Sequence, residues 1–460
     1  MLKAYDNCFQ THLCLAVIKP DGIFLSLRTE KKRHKSKKGM VINMERIILH
    51  SDLNNFYASA EATKNPSLKS IPIAVAGDVE ARHGIVLAKN QLAKVRGVKT
   101  GEALWQAKMK CPDITFVPPD FELYSRLSAE VRRIYYRYTD LIEPFGMDEC
   151  WLDVTGSAYL FCPHIKDSAE AGHYIADEIR EAVKRETGLT VSVGVSFNKT
   201  FAKLASDMKK PDATTVVSRE NFKETAWRLP VSDLLFVGPK TTAKLTRYGI
   251  STIGRLAEVD EDFLRLLLGK NGVSLKHTAS GLDTAPVMRA YEMPQVKSIG
   301  NGTTAPRDLV TDDDVKIVLY ALCESVSARM REQNLLCRTV CVGIRDSHLF
   351  SYERQCQLPC PDRTAKALFA AAFRLIKSNR PTTGGIRSLS VRATGLCDDT
   401  SEQISLFPED DLPCDREQLE GIIDELRRKH GSSVVKRGIM FADKRLTDTD
   451  FGIDRETMYE

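Results

Sequence analysis

Residues 47–61 read Ile-Ile-Leu-His-Ser-Asp-Leu-Asn-Asn-Phe-Tyr-Ala-Ser-Ala-Glu and form one of the two most informative motifs of the chain. An apolar, strand-like run ends at Asp52, and a turn and the start of a helix follow it. A second stretch, residues 146–153, reads Gly-Met-Asp-Glu-Cys-Trp-Leu-Asp and places Asp148 and Glu149 beside another apolar run. If the two strands are neighbours in one sheet, Asp52, Asp148 and Glu149 converge on one point.

Three converging carboxylates need a compensating positive charge, because their mutual repulsion otherwise forces protonation. Divalent cations supply that charge, and a ligand set made only of oxygen atoms suits Mg²⁺. A pair of metal ions held by carboxylates is a standard catalyst of phosphoryl or nucleotidyl transfer. The alternative is that the two motifs are solvated strand ends with ordinary surface acids.

Three motifs in order resemble the Y family (DinB/UmuC type) of translesion DNA polymerases, over about residues 44–398. The Asp-x-Asn-x-Phe-Tyr-Ala-Ser-x-Glu string resembles the first catalytic motif of the family, and residues 147–153 resemble its Ser-x-Asp-Glu-Ala-x-Leu-Asp motif. Residues 193–211 are also very close to the family sequence. The resemblance implies a DNA-directed DNA polymerase that copies damaged templates with low fidelity and without proofreading.

The resemblance also implies an α/β multi-domain fold, a right-hand polymerase with palm, fingers, helical thumb and little finger. We expect the palm at residues 44–62 and 120–212, the fingers at 63–119, the thumb at 213–290 and the little finger at 297–395. Residues 396–460 are expected to form an acidic tail with an amphipathic helix near residues 416–429, whose apolar face consists of Leu419, Ile422, Ile423 and Leu426. Residues 1–43 do not match the family; we expect translation to start at Met44, although the basic cluster at residues 28–38 could instead be a nucleic-acid arm or a localisation signal.

By resemblance, Asp52, Asp148 and Glu149 are the catalytic residues and the ligands of two Mg²⁺ ions, with Mn²⁺ as a possible substitute. The backbone carbonyl of Leu53 completes the coordination of the ion that accompanies the nucleotide. The 3′-hydroxyl of the primer attacks the α-phosphate, and pyrophosphate leaves.

Four further residues are assigned to the incoming dNTP. Tyr57 stands at the position of the family's steric gate, which leaves no room for a ribose 2′-hydroxyl; alternatively it is one more aromatic on a buried helix face. The backbone amides of Asn55 and Phe56 lie at a strand-to-helix turn, where N–H groups bind phosphate oxygens. Lys210 matches the family lysine that reaches the triphosphate. Lys203 could instead be a surface charge and is not assigned to the site.

Two segments depart from the family pattern. In the fingers, Gln91 and Lys94 replace a tyrosine and an arginine of the better-known archaeal sequences, so that Lys94 is either a triphosphate ligand or a solvated lysine. Lysine lacks the bidentate fork of arginine. In the thumb, residues 234–250 resemble a helix-hairpin-helix whose turn offers N–H groups to a DNA phosphate, but Pro239 removes one donor there.

A clamp-binding motif is predicted in the tail. It resembles the pentapeptide that binds the bacterial sliding clamp, and it consists of Gln403, Ile404, Ser405, Leu406 and Phe407. An exposed Leu-Phe pair in a charged linker favours a partner; the alternative is a short strand that packs back on the body. The motif also indicates a bacterial source.

Charge and composition agree with binding to DNA. The 460 residues have a net charge of +5, but residues 397–425 contain eleven acidic residues and one basic residue, so the rest of the chain is strongly basic. A basic body fits binding to the phosphate backbone, although a merely soluble basic protein is the alternative. No run of about 18 uncharged apolar residues occurs, so we expect no membrane span.

We therefore expect a cytoplasmic, nucleoid-associated monomer with reduced cysteines, whose partners are primer–template DNA, dNTP and the sliding clamp. The rival hypothesis is a catalytically silent protein of the same fold that binds DNA and the clamp. Intact Asp52, Asp148, Glu149 and Tyr57 argue against it. The helix-hairpin-helix and clamp-like segments argue against a third reading, another nucleotidyl enzyme on the same palm.

Overall fold

The structure is a computed structural model that describes residues 45–78, 82, 84–289, 292, 295–381, 384–398, 413–431 and 433–447. The basic cluster at residues 28–38 and the predicted clamp-binding motif at residues 403–407 lie outside the described residues. All the described residues belong to one compact unit. Within the described part of the chain no helix has the length and hydrophobicity of a transmembrane span, and the cysteines whose side chains are described are free thiols.

The described residues form twelve strands: β1 (Ile48–Leu53), β2 (Ile73–Ala76), β3 (Val86–Lys89), β4 (Thr115–Val117), β5 (Ile142–Pro144), β6 (Glu149–Asp153), β7 (Val191–Ser196), β8 (Thr214–Val217), β9 (Ser298–Leu309), β10 (Leu335–Asp346), β11 (Ser351–Asp362) and β12 (Ile386–Asp398). The larger helices are α1 (Phe56–Lys64), α2 (Gln91–Val95), α3 (Leu104–Lys110), α4 (Phe121–Tyr135), α5 (Ala158–Phe161), α6 (Ser168–Thr187), α7 (Lys199–Met208), α8 (Phe222–Thr225), α9 (Pro239–Thr246), α10 (Ile253–Glu258), α11 (Glu261–Leu268), α12 (Lys270–Ala279), α13 (Asp312–Glu332), α14 (Ala365–Ser378), α15 (Pro413–His430) and α16 (Lys444–Thr447). Single turns of 3₁₀ helix span Pro66–Ser70, Val231–Asp233 and Gly438–Phe441.

The predicted palm contains a five-stranded sheet in the order β5-β6-β1-β7-β8, with β1 at its centre. All six residues of β1 are buried, the polar His50, Ser51 and Asp52 included, because helices cover both faces of the sheet. Helices α4 and α6 pack on one face, where Leu49 and Ile175 share a core. Helix α7 packs on the other face so closely at Gly194 that a Cβ atom there would overlap the backbone of α7.

Between α1 and α4 lies a small α/β unit at the position predicted for the fingers. Its sheet has the order β3-β2-β4, with β4 parallel to β2. The side chain of Asn90 caps α2 by accepting a hydrogen bond from the amide of Ala93. Strands and helices share a small core that includes Val86, Ala93 and Ala107.

Helices α8 to α12 form the predicted thumb. Their core is continuous with α7 through Phe201, which packs with Leu245 and Leu264 in one cluster. The thumb was predicted to start at residue 213. In the structure the palm sheet extends to Val217, because β8 pairs with β7. The reason is that Thr214–Val217 extends a sheet edge rather than starting a helix.

The predicted little finger is a four-stranded sheet in the order β11-β10-β12-β9, covered by α13 and α14. The segments 339–344 and 386–393, which the sequence predicts as strands, lie within β10 and β12. Strand β12 continues to Asp398, past the predicted boundary at residue 395.

The predicted tail helix exists as α15, but the segment 413–447 is bound to the little finger. Leu446 of α16 is fully buried in the core of that domain. The charged face of α15 contacts α13, since Arg331 pairs with Glu420 and Asp424 at 2.6 Å each. Leu419, the first residue of the predicted apolar face of α15, is therefore exposed, as are two others one and two turns further on.

Candidate active site

The register of β1 against β6 brings the three predicted carboxylates to one end of the sheet. The two strands are antiparallel, and Asp52 lies directly opposite Glu149. Next to this pair, the amide of Leu53 donates a hydrogen bond to the carbonyl of Asp148 at 2.9 Å. Asp52 and Glu149, 97 positions apart in the sequence, are thus cross-strand neighbours, with Asp148 beside them.

Lysine side chains contact two of these carboxylates. The Nζ atom of Lys210 lies 2.8 Å from Oδ2 of Asp52, and Nζ of Lys203 lies 2.6 Å from Oε2 of Glu149. The imidazole of His50, which is fully buried, places Nε2 3.3 Å from the same Oε2 atom. Each of these two carboxylates therefore has a basic partner at the acidic end of the sheet.

Burial dominates the ionisation of Asp52 and Asp148. It raises the pKa of Asp52 to about 7, although Lys210 acts in the opposite direction. Burial and the neighbouring charge of Glu149 raise the pKa of Asp148 as well. Burial also acts to raise the pKa of Glu149, but the adjacent His50 imidazole and the Lys203 ammonium group outweigh it and lower the pKa to about 2. The site thus needs more positive charge than its lysines supply.

The side chains as they stand do not form a metal cage. Within the described ranges, no three or more His, Cys, Asp or Glu side chains are arranged to hold a metal ion. The reason is that Asp52 and Glu149 are directed at Lys210 and Lys203. The ligand types nevertheless fit a divalent cation, because the set consists of oxygen atoms and a cation would relieve the electrostatic cost of burying Asp52 and Asp148.

The turn between β1 and α1 places Tyr57 beside the acidic end of the sheet. Asn55 precedes the helix in the left-handed conformation, with φ of 51°, and only Asn54 and Asn55 separate the end of β1 from the start of α1. The hydroxyl of Tyr57 lies 3.5 Å from Sδ of Met147, the residue before Asp148. The amides of Asn55 and Phe56 belong to the turn at the start of α1, where backbone donors have no partner within the helix.

Comparison with known proteins assigns the chain to a family. The model of the impB/mucB/samB family matches residues 51–207, and the model of its C-terminal domain matches residues 296–406. DNA polymerase IV of Acetivibrio thermocellus is 48% identical over 405 residues, which cover 88% of this chain and 99% of that protein. The chain belongs to the Y family of DNA polymerases. DNA polymerase IV 1 of Bacillus subtilis is 35% identical over 397 residues, covering 85% of this chain and 92% of that one.

A solved structure shares the fold. The Y-family DNA polymerase chimera Dbh-Dpo4(243-245)-Dbh aligns with a TM-score of 0.68 at 21% identity, over 77% of this chain and 100% of that one. The predicted fold class, a right-hand polymerase with palm, fingers, thumb and little finger, is therefore confirmed.

Three residues of this candidate site were not predicted from the sequence. Lys203, interpreted as a possible surface charge, has a side chain only 14% exposed and is paired with Glu149. His50 contacts Glu149 on one side and Ser206 on the other, with Nδ1 2.9 Å from Oγ. Asn54 accepts a hydrogen bond from the amide of Asp212 at 2.7 Å and so ties the first motif to the segment that carries Lys210. His50 and Asn54 lie within the first motif itself, which was the available signal.

Two further predicted contacts lie away from the carboxylates. Lys94 is exposed on α2. Burial lowers the pKa of Lys89, and the nearby charge of Lys94 lowers it further. In the thumb, Gly238 caps α9 with an ordinary extended backbone. The residue of this turn with positive φ is Phe236, at 68° and 79% exposed, a conformation that glycine normally fills.

Proposed function

We propose that this Y-family member performs template-directed synthesis across damaged DNA with Asp52, Asp148 and Glu149 as the ligands of two divalent ions, Mg²⁺ in the first place. The observation that carries the proposal is the β1–β6 register, which places Asp52 opposite Glu149 and next to Asp148. The Leu53 carbonyl joins the ligand set. When bound, such ions lower the pKa of the primer 3′-hydroxyl and stabilise the leaving pyrophosphate.

The substrates follow from the residues around the carboxylates. The amides of Asn55 and Phe56 bind phosphate oxygens of a dNTP, and Lys210 neutralises part of the triphosphate charge. Lys210 is suited to this because it stays charged: its attraction to Asp52 and Asp207 outweighs burial and raises its pKa. The ring of Tyr57 occupies the space of a ribose 2′-hydroxyl, so deoxyribonucleotides are preferred.

Lys94 is a second candidate ligand of the triphosphate, from the fingers. Its exposed position on α2 leaves its ammonium group available to an incoming anion. The basic body of the chain binds the primer–template duplex. We infer that the polymerase works as a monomer and that residues 403–407 tether it to a bacterial sliding clamp, which raises its local concentration at the primer end. Among the described residues no observation favours the catalytically silent alternative.

Primer extension with Mg²⁺ tests the metal site. Asp148→Ala should abolish incorporation of dNTP, whereas Asp153→Ala is the matched control. Asp153 lies at the other end of β6 and pairs with Arg46 at 3.5 Å. Primer extension by Asp148→Ala at the wild-type rate would refute the assignment of Asp148 as a metal ligand. A wild type that binds DNA but does not extend a primer would refute the proposed activity.

The gate and the clamp contact have separate tests. Tyr57→Ala should allow incorporation of ribonucleotides while dNTP incorporation persists. Replacement of Leu406 and Phe407 by alanine should abolish binding to the bacterial sliding clamp in surface plasmon resonance, while extension without the clamp stays unchanged. Light scattering after size-exclusion chromatography measures the oligomeric state, and a stable dimer would contradict the monomer.

A further inference from the structure

Glu61 is a buried carboxylate that the proposed mechanism does not use. It lies on α1 one helical turn after Tyr57 and is 5% exposed. A carboxylate in such a position is costly unless it receives a hydrogen bond. The hydroxyl of Tyr124, on α4, donates that bond to Oε1 of Glu61 at 2.6 Å. Burial and this hydrogen bond both raise the pKa of Tyr124, so its hydroxyl keeps the proton it donates.

The ring held in this way supports the predicted gate. Tyr124 is completely buried, and its ring is stacked on the ring of Tyr57 with a centroid distance of 4.3 Å and an interplanar angle of 10°. Phe121, also on α4, meets Tyr57 edge to face at 5.9 Å. Tyr124 therefore packs against one face of the Tyr57 ring, and the hydrogen bond to Glu61 holds Tyr124 in place.

We propose that Glu61 and Tyr124 are positioning residues that hold the Tyr57 ring and thereby determine how strictly ribonucleotides are excluded. This inference rests on the proposed function and deepens it. A steric gate distinguishes two substrates that differ by one oxygen atom, so a small tilt of the ring is enough to make room for the 2′-hydroxyl. Buried hydrogen bonds restrict such a tilt because breaking them leaves polar groups unsatisfied.

Four variants separate positioning from mere stability. Tyr124→Phe keeps the stacked ring and removes the hydroxyl, and Glu61→Met removes the acceptor. Glu61→Gln keeps an acceptor oxygen and is the rescue variant. Tyr135→Phe is the matched control, because Tyr135 is a buried tyrosine on the same helix whose hydroxyl lies 2.8 Å from Oγ of Ser51.

The experiment measures kcat and KM for one dNTP and the matching rNTP on a primer–template with Mg²⁺, together with the melting temperature. We expect Tyr124→Phe and Glu61→Met to lower the ratio of kcat/KM for dNTP over rNTP by about tenfold, the equivalent of one lost hydrogen bond. The change should lie in the rNTP values, with kcat for dNTP within about twofold of wild type. Glu61→Gln and Tyr135→Phe should retain the wild-type ratio.

Two results would overturn the inference. The first is an unchanged ratio in Tyr124→Phe and Glu61→Met. The second is an equal loss for both nucleotides that follows the melting temperature, since that is the behaviour of a purely structural pair. A wild type that incorporates no dNTP would instead reject the proposed function, and this inference with it.

Discussion

Lys203 is ion-paired with Glu149, a proposed metal ligand, and therefore competes with a metal ion for its carboxylate oxygen. Replacement of Lys203 by methionine tests whether Glu149 is a metal ligand. The Nζ atom lies 2.6 Å from Oε2, and the two side chains are 14% and 19% exposed. An ion that binds through Oε2 must displace the ammonium group. A charge-assisted hydrogen bond is worth about 1.5–3 kcal/mol net, and partial exposure reduces this to about 1.5 kcal/mol. Its removal should therefore strengthen ion binding about tenfold.

The assay is incorporation of a single dNTP as a function of Mg²⁺ concentration. Lys203→Met should reach half of its maximal rate at about one tenth of the Mg²⁺ that wild type needs. Lys199→Met is the control: Lys199 lies one turn earlier on α7, is also 14% exposed, and pairs with Glu143 at 2.5 Å. Glu143 is not a predicted ligand, so this variant should keep the wild-type Mg²⁺ dependence.

Each variant breaks one partly buried ion pair, so both should lose about 2 kcal/mol of unfolding free energy in EDTA. Calorimetric titration with Mn²⁺ in the absence of DNA provides a second readout that does not depend on turnover. An unchanged Mg²⁺ dependence in Lys203→Met would show that Lys203 does not compete with the ion for Glu149. So would an equal shift in Lys199→Met, because that would mark a general effect of charge rather than competition for Glu149.

Three predictions concern the fold, each measured by urea or acid unfolding. Arg331→Met removes the arginine that is ion-paired with both Glu420 and Asp424 of α15 and should cost about 3 kcal/mol. The 68% exposed Arg428→Met should stay within about 0.5 kcal/mol, and equal effects of the two variants would contradict a stabilising role of these ion pairs. Gly194→Ala should cost more than about 3 kcal/mol because its Cβ overlaps α7, while Gly156, with open space around it, should tolerate alanine. The hydrogen bond from Arg307 of β9 lowers the pKa of Asp314. The ionised Asp314 therefore stabilises the fold above about pH 4 and loses this effect as the pH falls further, so the unfolding free energy of Asp314→Asn should depend less on pH in that range.

The polymerase fold and the acidic end of the sheet were predictable because their signals are local. The apolar runs before Asp52 and after Glu149 mark two strands, and the turn at Asn55 marks where the helix begins. Neighbouring strands that carry acids at matching ends bring those acids together whatever the details of packing. The family motifs extend the same local information over most of the chain.

The partners of those acids could not be predicted in this way. Lys203 meets Glu149 only because α7 packs across the face of the sheet, and Gly194 permits that close approach. Periodicity likewise located α15 but not its orientation. The residues of α13 that contact this helix are polar or charged, among them Ser327 and Arg331, so the polar face of α15 lies inward and Leu419 lies outward.

Local sequence patterns were enough to predict the strands, the turn at the start of α1, the acidic residues and the family. The packed fold alone shows which lysine contacts which carboxylate, that Tyr124 stacks on Tyr57 and bonds Glu61, and which face of α15 is covered. The physical reason is that backbone periodicity and turns depend on residues close in the chain. Ion pairs and ring stacking depend on residues that packing brings together from distant parts of it.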